Sequence, residues 1–268
     1  MDPGRALYTG PMYLQQLFGL DGRTALVTGG SSGIGRAIAR ALASAGAHVV
    51  VAARTPETLD ATVAEVRADG GSAESVVADL ATREGAHALA DAVEAAAGAG
   101  GVDVLVCSAG INLRPPMAEL DEAVWDATMA VNLDAPFVLG QRLAPGMAGR
   151  GYGRILHISS QQAHRPFAAS GAYGVSKAAL EALARSQAEA WSPHGVTANV
   201  LVPGFVPTAL NRRLSSDPTA VAALAARTLV GRNGLPDDLA GAAVLLASPA
   251  SGYITGQSIA VDGGFSVH

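Results

Sequence analysis

From Thr24 onward the chain alternates between short apolar runs and longer stretches in which apolar residues return every three or four positions. The short runs Thr24–Thr28, His48–Ala52, Glu74–Ala78, Val102–Cys107, Arg154–Ser159, Thr197–Val202 and Ser258–Val261 read as strands. The stretches between them are long enough for helical crossovers, the pattern of a mostly parallel sheet built from βαβ units. Gly46, Gly70 and Gly195 each fall just before a strand, where a helix is expected to stop. The alternation therefore predicts an α/β fold, a doubly wound parallel sheet of about seven strands flanked by helices. Two stretches break it. Residues 1–20 read as an N-terminal arm, and Phe205–Leu235, carrying Pro207, Asn211, Arg212, Arg213 and Pro218, reads as a lid over a strand's carboxyl end or as an ordinary surface helix pair.

Composition narrows the function classes. At 268 residues one large core is the expectation, with residues 21–268 as a single domain. Aromatic residues make up only 4% of a chain that is 49% hydrophobic, which suits helix-on-sheet packing through small side chains. The net charge of −5 is dispersed and no run of Lys or Arg occurs, so nucleic acid is not an expected partner. Cys107 is the single cysteine, which excludes an intrachain disulfide and a CxxC metal or redox site; no metal is expected. The apolar run Ala41–Ala53 contains Ser44, Gly46 and His48 and falls short of the ~18 residues of a membrane span. The first twenty residues lack the basic start and apolar stretch of a leader, so a cytoplasmic protein without a membrane partner is expected.

After the first strand comes Thr28-Gly29-Gly30-Ser31-Ser32-Gly33-Ile34-Gly35, followed by the helical run from Arg36. Gly29 can turn sharply off the strand, Gly33 lets backbone approach a pyrophosphate, and Gly35 lets the helix pack closely while its N-terminus faces the anion. Tyr173 and Lys177 lie four residues apart on one helical face, and Ser160 precedes Tyr173 by thirteen residues at a strand end.

The TGxxxGxG spacing, Val77-Ala78-Asp79-Leu80 after the third strand, Ser160 with Tyr173 and Lys177, Asn132, and Pro203-Gly204 with Thr208 resemble, in place and order, the short-chain dehydrogenase/reductase family. The resemblance runs from Asp21 to Gly264 and implies a Rossmann-type fold and a nicotinamide-dependent oxidoreductase acting on CH–OH groups. It departs at Cys107-Ser108-Ala109-Gly110, where the family has NNAG. The cofactor contacts it implies are Gly29, Ser31, Ser32, Gly33, Ile34, Gly35, Arg54, Asp79, Leu80, Cys107, Ala109, Gly110, Tyr173, Lys177, Pro203, Gly204, Val206 and Thr208. No acidic residue closes the second strand; Ala53 leaves room there and Arg54 can pair with a 2′-phosphate, so NADP(H) is expected over NAD(H).

The expected chemistry follows from charge. A tyrosine of ordinary pKa ~10 is a poor base, but a nearby cation such as the Lys177 ammonium favours its phenolate. Tyr173 then acts as base in alcohol oxidation and as acid in carbonyl reduction, with Ser160 donating to the substrate oxygen. By resemblance, Asn132 holds a water that links Lys177 to solvent, and the helices carrying Asn132 and Tyr173 pair with their copies in dimers or tetramers.

The stretches Leu17–Arg23 and Ile111–Met117 are most similar to the gluconate 5-dehydrogenase branch, which implies a sugar acid or polyol ketone as the small-molecule substrate. Arg114, Ser160, Gln161, His164 and Asn211 are the candidates to face it. A 3-oxoacyl or other carbonyl reductase shares the same motifs. A non-catalytic NADP-binding sensor or scaffold would need only the glycine loop.

Overall fold

The computed structural model of the chain describes residues 12–268. Strands β1 (Thr24–Thr28), β2 (His48–Ala53), β3 (Ser72–Val77), β4 (Val104–Cys107), β5 (Gly153–Ile158), β6 (Val196–Pro203) and β7 (Ser258–Val261) form one parallel sheet in the order β3-β2-β1-β4-β5-β6-β7. Side chains alternate across it. Ala25 and Val27 of β1 join one core with Ile38, Leu42, Leu59, Leu246 and Val106, while Leu26 points into the other with Leu89, Leu105, Leu139 and Ile155. The first core is covered by helices α2 (Gly33–Ser44), α3 (Pro56–Ala68) and α10 (Ala240–Ala247), as the doubly wound expectation requires. The opposite face carries α4 (Arg83–Ala97), α6 (Ala135–Gly149) and α7 (Gly171–Trp191), with α5 (Glu122–Met129) leading into α6.

The expected boundaries shift where polar residues join a ladder. β3 begins at Ser72 rather than Glu74, because it is an edge strand whose residues other than Ala73 are exposed or half-exposed, so Ser72 and Ser75 fit it as well as valine. Asp103 lies before β4 as a buried acceptor for the Thr24 N–H (3.1 Å) and the Arg23 guanidinium (3.4 Å). At the same edge the Tyr152 ring lies 3.7 Å from the Arg23 guanidinium carbon and 4.3 Å from that of Arg154, and its hydroxyl donates to the Ala247 carbonyl. Within β5, His157 is fully buried and neutral, its Nε2 2.7 Å from Gln187 Oε1, and burial lowers its pKa to about 4.

Residues 1–11 of the expected arm lie outside the described residues. The remainder forms a short helix, α1 (Tyr13–Phe18), and ends at Leu20, which is fully buried and donates its N–H to the Ala45 carbonyl. The segment from Phe205 to Leu235 folds into a 3-10 turn at Ala209–Asn211, then α8 (Arg212–Ser215) and α9 (Pro218–Ala226), the last capped by the Asp217 carboxylate. None of the helices is long and apolar enough to cross a membrane among the described residues.

Candidate active site

The strand order reverses between β1 and β4, and the loops leaving their carboxyl ends diverge to open a crevice, the position at which doubly wound sheets bind ligands. Thr28 stitches its floor: Oγ1 donates to the Val106 carbonyl and accepts from the N–H groups of Ser108 and Ala109. The glycines of the loop are demanded by contact. A Cβ on Gly29 (φ +66°) would lie 2.8 Å from Ala109 Cα, one on Gly33 (φ +52°) 3.1 Å from Thr208 Cγ2, and one on Gly35 2.3 Å from the Gly29 carbonyl oxygen. Ser32, Gly33 and Ile34 thus bring bare backbone and the N-terminus of α2 to a cleft holding about 1200 Å³ of space, part of it open to solvent. These residues fit a pyrophosphate.

Ser160, Tyr173 and Lys177 meet at the inner end of this cleft. Ser160 leaves β5, its Oγ accepting from the Gln162 N–H, and Tyr173 and Lys177 share a face of α7. The Lys177 ammonium donates to the Ile158 carbonyl at 2.7 Å and lies 5.7 Å from the centre of the Tyr173 ring. Burial lowers the Lys177 pKa to about 8 and raises that of Tyr173. A hydrogen bond from Ser160 and the positive charge of Arg114 oppose the rise of the phenol. The phenol is therefore the favoured form at neutral pH, with the Arg114 charge acting on it and the Lys177 ammonium held near its ring.

Glu181, one turn beyond Lys177, binds α7 to the strand ends. It is 4% exposed and accepts from Ser159 Oγ at 2.8 Å and Ser258 Oγ at 2.9 Å. The same carboxylate lies 3.1 Å from His164 Nε2, which turns His164 out of the cleft toward a neighbouring cavity. The expectation of a substrate-facing His164 is corrected accordingly.

Other expected residues divide into those at the cleft and those beside it. Gly110, Pro203, Gly204, Val206 and Thr208 line it, with Ala109. Arg54 and Asp79 lie exposed just beyond β2 and β3, while Leu80 is buried and Ser31 half-buried outside the cleft. Cys107 is a core residue: it pairs with Thr28 and His157 in the ladder, and burial pushes its thiol up to about 12. A cofactor contact by its side chain is not what this placement offers.

Asn132 does not belong to a regular helix. It lies in a π-helical turn, Ala130–Asp134, because Pro136 lacks the N–H that the Asn132 carbonyl would accept in an α-helix. Its side chain accepts from the Ile111 N–H and donates to the Ile111 carbonyl and Ser176 Oγ, all within 3.0 Å. The amide holds the β4 loop against α7, which leaves the backbone carbonyl as the group able to hold a water.

The candidates for substrate contact are partly committed. Gln161 donates to Asp262 at 3.3 Å, and Asn211 bonds the Thr208 N–H and the Val206 carbonyl. Arg114 donates to the carbonyls of Ala168 and Ala169, the latter holding φ +56°, a conformation rare without glycine. Sequence reasoning missed Phe167, Leu210, Leu214 and Leu224 as walls of the cleft. Phe167 reaches it from the loop before α7, and the three leucines from the 3-10 turn, α8 and α9 of the Phe205–Leu235 segment, whose position the lid reading gave without naming them. Asn112, two residues before Arg114 on the irregular run Ile111–Pro116, could have been found by its alternation with that residue.

A family model described as Enoyl-(Acyl carrier protein) reductase matches residues 29–266. Gluconate 5-dehydrogenase of Gluconobacter oxydans (strain 621H) is 38% identical over 252 residues, covering 94% of this chain and 97% of that protein. Galactitol 2-dehydrogenase (L-tagatose-forming) of Cereibacter sphaeroides is 39% identical, covering 96% of this chain and all of that protein. A gluconate 5-dehydrogenase from Burkholderia cenocepacia J2315, solved in complex with NADP and tartrate, is 38% identical with a TM-score of 0.89, covering 95% of this chain and 99% of that one.

Proposed function

From the premise that the chain belongs to the short-chain dehydrogenase/reductase family, we propose that it interconverts a secondary alcohol and a ketone with NADP(H), Tyr173 being the proton donor and acceptor and a sugar acid or polyol the substrate. The observation that carries this reading is the meeting of Ser160, Tyr173 and Lys177 at the inner end of the cleft that the glycine loop opens. A nicotinamide cofactor supplies the hydride acceptor of oxidation and the donor of reduction. Gly33, Ile34 and the N-terminus of α2 would hold its pyrophosphate, Arg54 a 2′-phosphate, and Thr208 with Pro203-Gly204 the nicotinamide end.

In reduction, Ser160 Oγ and the Tyr173 hydroxyl both donate to the substrate oxygen as negative charge grows on it, and the Tyr173 proton crosses to it. The raised pKa of Tyr173 keeps that proton in place at neutral pH. The Lys177 ammonium, fixed on the Ile158 carbonyl, stabilises the phenolate left behind. The Asn132 carbonyl holds the water through which the proton is replaced. The Phe205–Leu235 segment acts as the lid, excluding water from the reacting carbon.

Cytoplasmic localisation and a homotetramer complete the reading. Trp125 on α5, Phe137 on α6 and Val175 on α7 are exposed apolar side chains that support pairing of these helices between copies.

The decisive experiment is a panel of sugar acids, polyols, simple ketones and 3-oxoacyl thioesters followed by cofactor absorbance, with Tyr173→Phe beside the unmodified enzyme. A loss of at least ~100-fold in kcat with NADPH binding retained is expected. Tyr173→Phe keeping most of kcat would remove the proton-transfer role. Turnover confined to 3-oxoacyl thioesters would replace the sugar acid, and silence across the panel would favour the sensor.

A further inference from the structure

The run that leaves β4, Ile111–Pro116, is irregular and joins no ladder. Asn112 and Arg114 face the cleft, whereas Leu113 between them is 42% exposed to solvent. Four side-chain amides line the cleft, and three are engaged. Gln161 donates to Asp262, Gln162 accepts from Ser170 Oγ, and Asn211 closes its own loop. Asn112 differs: its Oδ1 is occluded from solvent with no hydrogen-bond partner, and its amide nitrogen makes no bond among the described residues.

An occluded acceptor without a partner carries the full penalty of desolvation, which a protein retains where a ligand relieves it. The terminal torsion of asparagine is broad, so a small rotation turns either end of the amide into the cleft. A hydroxyl group answers both ends, donating to Oδ1 or accepting from Nδ2, and a methylene answers neither. Two residues further on, Arg114 places a cation on the same wall, with Arg213 close enough that the two charges repel. The wall therefore presents a hydroxyl partner beside positive charge.

We propose that Asn112 binds a hydroxyl of the substrate next to the reacting carbon, and so sets a preference for polyhydroxylated acids over chains with methylenes at that place. This rests on the sugar-acid reading above and specifies which side chain enforces it. Asn112 takes no part in the proton or hydride transfer. It acts on substrate affinity.

The test uses the full chain with NADP(H) and two substrates, an aldonic acid that the enzyme oxidises and its deoxy analogue lacking one hydroxyl beside the oxidised carbon. Asn112→Leu keeps the volume and removes the hydrogen bond. It is expected to raise KM for the hydroxylated acid ~10- to 100-fold, to leave kcat within about 3-fold, and to leave the deoxy analogue unchanged. Unchanged NADPH affinity and melting temperature identify a folded variant, and Asn112→Ala gives the same selectivity ratio if the leucine does not fold. Equal effects on both substrates, or a variant that keeps the preference, overturn the role of Asn112 while the sugar-acid reading stands. An unmodified enzyme that oxidises no hydroxylated acid yet reduces plain ketones overturns both.

Discussion

Gly35→Ala is a sharp test of the cofactor cradle, because the same substitution elsewhere in this protein should do the opposite. The new Cβ would lie 2.3 Å from the Gly29 carbonyl oxygen and 2.8 Å from its carbon, against about 3.4 Å for ordinary contact, so the glycine loop must retreat by roughly 1 Å. Overpacking of this kind costs about 1–3 kcal/mol, offset by about 1 kcal/mol from replacing glycine inside a helix, so the fold should survive with a modest fall in melting temperature. Function should not survive as well, since a ~1 Å misplacement of binding groups costs on the order of 100-fold. Gly241 lies on α10 with no atom within 4 Å of its would-be Cβ. Gly241→Ala should leave kinetics unchanged and stabilise by up to about 1 kcal/mol. The measurements are NADPH titration by protein fluorescence, kcat/KM, and thermal melting of both variants. Near-native NADPH affinity in Gly35→Ala, or an equal functional loss in Gly241→Ala, would refute the reasoning from backbone contact.

Two further outcomes follow from groups outside the proton-transfer set. His157 has a folded pKa of about 4 against 6.5, so only the unfolded chain takes up its proton between those values; its stability contribution is complete above pH ~6.5 and falls by about 3 kcal/mol as pH drops to 4. Urea unfolding at fixed protein concentration should show that extra acid sensitivity relative to His157→Gln, and parallel curves would exclude it. Arg54→Ala should lower kcat/KM with NADPH ~10- to 100-fold and leave NADH nearly unaffected, whereas equal losses with both cofactors would detach Arg54 from the 2′-phosphate.

What was legible beforehand depended on how local the cause was. β1 and β7 fall at their expected limits because apolar runs and flanking turn residues mark both ends. β3 did not, since the start of its ladder, Ser72-Ala73-Glu74, has only a single small apolar residue to signal the strand. The placing of Tyr173 and Lys177 on one helix was readable from their spacing, which gained its meaning only beside Ser160, Asn132, the glycine loop and Thr208, whereas the π-turn at Asn132 needed Pro136 to be weighed against the helix around it. The burial of Cys107 and the turning of His164 away from the cleft have a more distant cause. Their surroundings, a neighbouring strand and the Glu181 carboxylate, are supplied by residues far away in the chain. The Arg114 contact with the Ala168 and Ala169 carbonyls is equally non-local, and the left-handed turn it grips carries no glycine to announce it.

The parallel sheet also separates two kinds of work by geography. Asp103, Arg23, Tyr152 and Arg154 fasten the strands where they begin, and the cleft opens where they end. A laboratory seeking new substrates can randomise 111–116, 161–170 and 209–215 while leaving that far fastening intact as a stability reserve. Destabilising but useful changes at one end can then be rescued by repairs at the other, without the two sets of mutations touching.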